Sequence, residues 1–166
     1  MTAVDSDFVE LLEQHRGILY KVTNAYCRDH DDRQDLAQEI TLQLWRSYNR
    51  FDRELRFSTW MYRIAMNVAI SHYRAGRARI RETQPLDDVS EVASEHERAD
   101  AGDDTRVLYA LIRELDELNR ALTVLYLDGY SHDEIGAILG LTPTNVATRV
   151  NRIKEQLRTN YLRRKQ

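Results

Sequence analysis

Apolar residues recur at three- and four-residue steps along most of this chain, the spacing of helices that bury one face. Phe8, Leu11, Leu12, Ile18, Leu19, Val22 and Ala25 predict one helix over 5–28, capped by Asp5 or Ser6. Leu36, Ala37, Ile40, Leu44 and Tyr48 predict a second over 32–49, opened by Asp31 or Asp32. A polar loop follows, NRFDRELRF over 49–57, bracketed by Phe51 and Phe57. Met61, Ile64, Ala65 and Val68 then share one face of a helix running to Arg81, with Ser58 as its expected cap. After a gap, Val107, Leu108, Leu111, Ile112 and Leu115 make another amphipathic helix, and Leu118, Leu122, Leu125 and Tyr126 a further one that closes near Gly129.

The last third carries the densest local signals. Ser131 and Glu134 stand at capping-box spacing before Ile135, Ile138 and Leu139, which predict a short helix. Gly140 is the expected turn residue, Leu141 tucks inward, and Thr142 with Pro143 starts the next helix. That helix buries Val146, Val150, Ile153 and Leu157. A short helix, a glycine turn and a capped basic helix form a helix-turn-helix, whose second helix enters the major groove. Thr144, Asn145, Thr148, Arg149 and Arg152 lie outward at its N-terminal end. They offer the hydroxyl, amide and guanidinium groups that base edges and phosphates require. A plain helical hairpin would use the same apolar positions.

Two faces are not explained by a core. On the second helix, Asp35, Gln38, Glu39 and Arg46 surround Leu42 and Trp45. Apolar anchors ringed by polar groups suit a partner-protein surface, although Trp45 could equally pack on a neighbouring helix. On the third, Trp60, Arg63, Asn67, Ser71 and Arg74 form a narrow stripe. It fits a nucleic-acid reader, or a solvated basic edge of a buried helix.

Charge sharpens this picture. The net charge of -3 hides a segregation: residues 57–81 carry +5 without one acid, 82–104 carry -8, and 142–166 carry +6. Two basic blocks flanking an acidic one point to nucleic acid. The acidic run contains Pro85 and Gly102 and little apolar content, so a solvated tether is expected there. Hydrophobic residues make up 42% and charged residues 31%, as in a soluble globular chain. The lone Cys27 allows no intramolecular disulfide and reads as an inert thiol. The five His show no metal spacing, and no phosphate loop or nucleophile–base arrangement is present, so neither an enzyme nor a metal or cofactor is expected. No stretch approaches a membrane span, and the acidic N-terminus is unlike a secretory signal, so no membrane insertion and a cytoplasmic location are expected. The fold expected is all-α: two small helical domains, 1–81 and 105–166, joined by an acidic flexible linker over 82–104, the second domain a helix-turn-helix.

Three segments resemble a known family: DLAQEITLQLW at 35–45, FSTWMYRIAMN at 57–67, and the helix-turn-helix from Tyr130 to Leu157. In order and spacing the chain resembles bacterial RNA polymerase sigma factors of the sigma-70 family, in the extracytoplasmic-function group. The resemblance implies that 1–81 is a region 2-like domain and 105–166 a region 4-like domain. It implies core RNA polymerase as partner, through the clamp helices of the largest subunit and the flap of the second-largest. Asp35, Gln38, Glu39, Leu42 and Trp45 would dock on the clamp helices. Phe51 and Asn67 would form the pocket for a flipped-out base of the promoter -10 element, with Trp60, Arg63 and Arg74 on the duplex edge and backbone. Thr144, Asn145, Thr148, Arg149 and Arg152 would read the -35 element. The acidic linker would thread a basic polymerase channel, and an anti-sigma factor is a further expected partner. Two positions depart from the family pattern: Leu115-Asp116 replaces Leu-Pro, and Ala147 stands where a basic residue is usual. A stand-alone helix-turn-helix repressor or activator is the competing reading, which leaves the 35–45 face without a use.

Overall fold

The computed structural model describes residues 2–83 and 102–166. In chain order the helices are α1 (Ala3–Gln14), α2 (Arg16–Tyr26), α3 (His30–Ser47), α4 (Phe57–Thr83), α5 (Asp103–Ile112), α6 (Glu117–Leu127), α7 (His132–Leu139) and α8 (Pro143–Arg164). A 3-10 turn, Tyr48–Arg50, follows α3. No strand occurs among the described residues. The tether expected over 82–104 lies outside the described residues except at its ends, and both ends are helical. α4 runs on to Thr83, and Asp103 and Asp104 form the first turn of α5. Acidic side chains favour that position because the helix dipole is positive there.

The helix expected over 5–28 is two helices. His15 leaves helical geometry (φ -111°, ψ 16°), and its backbone N–H and its ring Nδ1 both turn back to the Leu11 carbonyl. The break frees α1 to swing Phe8 edge-on to Trp45 and Tyr48, at centroid distances of 5.2 and 5.0 Å. The caps also shift by a few residues. Thr2 caps α1, with Asp5 as its capping-box partner rather than the cap itself. Asp29 is the N-cap residue of α3, placing Asp31 and Asp32 in its first turn. Ser58 lies inside α4, which already begins at Phe57.

α2, α3 and α4 pack together with α1 on their flank, while α6, α7 and α8 form a second group that α5 joins. Leu36, Ile40 and Leu44 of α3 are fully buried against α4, each stabilising the fold by about 1.5–3 kcal/mol. Leu122, Leu125, Ile135 and Val146 are as completely buried in the second group.

The two groups touch. α2 packs on α5 and α6, and α4 packs on α6 and α7. This widens the buried face of α4 beyond the predicted stripe: Met61, Tyr62, Ala65, Met66 and Ala69 are buried, while Ile64 and Val68 are half-buried. Tyr62 donates a 2.6 Å hydrogen bond to Asp128 Oδ2, and Lys21 pairs with Asp128 Oδ1. The Tyr62 and Tyr130 rings meet edge-on at 5.4 Å. Tyr26 donates to the Glu117 carbonyl, and Arg113 donates to that of Asn24 at 2.9 Å. Arg120 is buried, and no carboxylate among the described residues pairs with it. It donates to the carbonyls of Leu115, Arg113 and Ala25, and its guanidinium lies 4.6 Å from the Tyr73 ring centroid. Burial, reinforced by Asp128, holds the Tyr62 phenol far above its ordinary range, so it stays a donor.

Candidate nucleic-acid interface

Asp35, Gln38, Glu39, Leu42 and Trp45 are all exposed on the outer side of α3, because the inner side is committed to Leu36, Ile40 and Leu44. Leu42 is 47% and Trp45 42% exposed, unusual for side chains of that size. Trp45 packs one edge on Phe8 of the neighbouring helix, and the rest faces solvent. Glu39 Oε2 lies 3.1 Å from His72 Nδ1, tying this face to α4.

The loop into α4 is held by an aromatic cluster. Phe51, Phe57 and Trp60 have centroids 4.9 to 5.6 Å apart, and Tyr48 stacks on Phe51 at 6.1 Å. Asp7 of α1 anchors the base of this loop: its carboxylate accepts from Tyr48 at 2.8 Å and pairs with Arg53 at 2.7 Å. Those two partners hold the Asp7 carboxyl below its ordinary value. The structure thus brings Phe51 and Trp60 together as a half-buried aromatic wall. Arg63, Asn67 and Arg74 do not join that cluster. They continue from it along the exposed side of α4, Asn67 being two turns, about 10 Å, beyond Trp60. Arg74 is engaged: its Nε pairs with Glu117 Oε1 of α6 at 3.1 Å. A backbone N–H and this Arg keep the Glu117 carboxyl below its usual range.

The third surface lies at the start of α8. Gly140 adopts φ +73°, a left-handed turn that L side chains resist. The Leu141 N–H returns to the Gly136 carbonyl at 2.9 Å, so close that a Cβ on Gly136 would sit 2.5 Å from the Leu141 oxygen. This pins α7 against the turn. Ser131 and Glu134 form the capping box, and Thr142 accepts from the Asn145 N–H at 3.2 Å with Pro143 behind it. Thr144, Asn145, Thr148 and Arg152 are exposed and Arg149 is half-buried. All five border one concave surface of about 440 Å³, together with Thr142 and Asn119. Asn119 comes from α6, and apolar periodicity could not have found it. Its one sequence signal is Asp116, three residues earlier, at N-cap spacing.

Known families match the chain in two regions. Residues 11–79 match Sigma-70 region 2, and residues 105–157 match Sigma-70, region 4. The chain is 30% identical over 144 residues to the ECF RNA polymerase sigma-E factor of Haemophilus influenzae, covering 76% of this chain and 73% of that protein. It is 30% identical over 158 residues to the ECF RNA polymerase sigma factor SigE of Mycolicibacterium smegmatis, covering 92% of this chain and 60% of that longer protein. Its fold is similar to that of the sigma factor RpoE solved in complex with the anti-sigma factor NepR from Bartonella quintana. There the TM-score is 0.68 at 18% identity, over 93% of this chain and 94% of that one.

Proposed function

The chain belongs to the extracytoplasmic-function group of the sigma-70 family, RNA polymerase subunits that direct transcription initiation to promoters, and we propose how its surfaces divide that work. Asp35, Gln38, Glu39, Leu42 and Trp45 dock on core RNA polymerase, at the clamp helices of the largest subunit. Phe51 and Trp60 supply an aromatic wall, and Asn67 a polar edge reader, for a base extruded from the -10 element. Arg63 and Arg74 grip the adjoining backbone. Capture of an unstacked base needs such a wall and edge reader near cations. Thr144, Asn145, Thr148, Arg149 and Arg152 read the -35 element from the major groove. In this reading 1–81 and 105–166 are the working domains, 82–104 is the tether between them, and the second also meets the flap of the second-largest subunit.

The observation that carries the reading is the exposure of Leu42 and Trp45 amid carboxylate and amide groups on α3. A stand-alone regulator has no use for that face. The work is binding rather than catalysis, carried out wherever the polymerase is, hence in the cytoplasm. No helix among the described residues is long and apolar enough to cross a membrane. An anti-sigma factor is a further proposed partner, supported by the complex in which the similar RpoE was solved. The test is reconstitution with core polymerase and a genomic promoter pool. Promoter-specific transcripts that require both components are expected. A chain that footprints DNA alone and fails to bind core polymerase overturns the reading.

A further inference from the structure

At the start of α8 one guanidinium is held in place before any DNA arrives. Arg149 Nε donates to Asn145 Oδ1 at 2.8 Å, one turn back on the same helix. Its Nη1 donates to Asn119 Oδ1 at 3.2 Å, reaching across to α6. Asn119 is itself fixed. Its Nδ2 donates to Asp116 Oδ2 at 2.7 Å, and its backbone N–H donates to Asp116 Oδ1 at 2.9 Å. Asp116 is the N-cap of α6, so its two oxygens close the helix and orient the amide together. The result is a chain of side chains, Asp116 to Asn119 to Arg149 to Asn145, running from the cap of one helix to the reading edge of another.

Guanidinium has five N–H donors, of which this chain uses two. One Nη1 hydrogen and both Nη2 hydrogens remain for acceptors such as the O6 and N7 of guanine. A side chain already held in one rotamer loses less freedom when it binds. The next outward position toward the helix start, Thr148, turns its hydroxyl back to the Thr144 carbonyl at 3.0 Å, and Ala147 carries no polar group. Arg149 is therefore a donor on this surface held from two helices.

We propose that Asn119 and Asp116 are positioning residues that aim Arg149 at a guanine of the upstream promoter element. The inference rests on the reading of α8 as the -35 reader. Its test uses holoenzyme reconstituted with the full chain. Bound promoters are first selected from a randomised pool with the unaltered chain. Each base pair of the selected upstream element is then varied, and binding is measured for Asn119→Ala, Asp116→Ser, Arg149→Ala and the double variant Asn119→Ala with Arg149→Ala. Arg149→Ala is expected to flatten the preference at one guanine. Asn119→Ala should flatten the same position by about tenfold, the scale of one good bidentate base contact. Asp116→Ser keeps a capping oxygen and removes the one that holds the amide, so it should flatten that position in part while leaving the urea midpoint close to the original. The double variant should be no worse than Arg149→Ala alone. Undiminished preference in Asn119→Ala, additive losses in the double variant, or a loss spread evenly over all positions would each overturn the proposal. Failure of the unaltered chain to select any promoter with core polymerase would instead overturn the parent reading.

Discussion

Tyr62 of α4 and Asp128, at the end of α6, are joined by a 2.6 Å hydrogen bond that crosses from the first helix group to the second. The donor is fully buried, and Asp128 is shared with Lys21. Tyr62→Phe keeps the ring against Tyr130 and removes only the donor. Bonds to charged groups contribute about 1.5–3 kcal/mol, and the lower end applies because the Asp128 side chain is 26% exposed. Urea unfolding should show that loss. The sign with pH follows from the raised phenol value. The contribution is fully present below the ordinary phenol value of 10.0 and is lost as pH rises above it, when the unfolded chain ionises first. The gap in urea midpoint between the original chain and Tyr62→Phe should therefore narrow above pH 10.

Trp45→Ala and Asn67→Ala should separate two activities. Trp45 makes one edge contact with Phe8, worth about 0.5–1.5 kcal/mol beyond burial, so its loss leaves the chain folded. Binding to core polymerase should fall by at least tenfold, as expected for a central aromatic anchor. Asn67 is exposed, so Asn67→Ala should bind polymerase normally yet open the -10 element poorly in a permanganate footprint. Equal loss of both activities in both variants would sink this division.

Gly136→Ala should be more harmful than its mild chemistry suggests. The added carbon meets the Leu141 carbonyl at 2.5 Å, and that atom is backbone in a tight turn. Overpacking of this kind costs about 1–3 kcal/mol, visible in thermal unfolding. Promoter binding should fall with it, because the turn sets the start of α8.

Cys27 should resist modification. It is 6% exposed, and burial pushes its thiol up to about 11. At pH 8 about one thiol in a thousand is ionised, so a disulfide reagent should react with native chain far more slowly than with chain in urea. Equal rates in both would contradict the buried placement.

Legibility in the sequence followed the range of the interactions. The helix-turn-helix is specified by neighbours three and four residues apart: Ser131 with Glu134, Gly136 with Gly140, Thr142 with Asn145. The caps and the Gly140 turn could be read directly, whereas the close approach of Gly136 to the Leu141 carbonyl appears only in the fold. The outward face of α3 was legible for the same reason, since one helical period separates Leu36, Ile40 and Leu44 from Leu42 and Trp45. The break at His15 was not, because apolar spacing continues across it and the contact it permits, Phe8 with Trp45, joins distant parts of the chain. The contacts between the helix groups were not legible either. Tyr62 and Asp128 are 66 residues apart, and Arg120 and Ala25 are 95 apart. Only the folded chain brings them together, and it does so on the side of α4 that periodicity left half-empty. Asn119 belongs with these, being 30 residues from the Arg149 it holds.

The hydrogen bonds and ion pairs that cross between the two groups use phenols, carboxylates, a lysine, guanidinium groups and backbone carbonyls. Water can serve every one of these groups if the halves part. Arg120 would lose the Ala25 carbonyl and the tyrosine rings but keep Leu115 and Arg113 on its own side. The buried apolar side chains of the two groups nevertheless run together as one core cluster, so parting would also expose apolar surface that water does not serve. A binder that shifts the arrangement must therefore prefer the parted state by enough to offset that exposure. The closed arrangement also pairs Arg74 with Glu117, so a partner that stabilises it competes, without touching Arg74, for the cation proposed above to grip DNA.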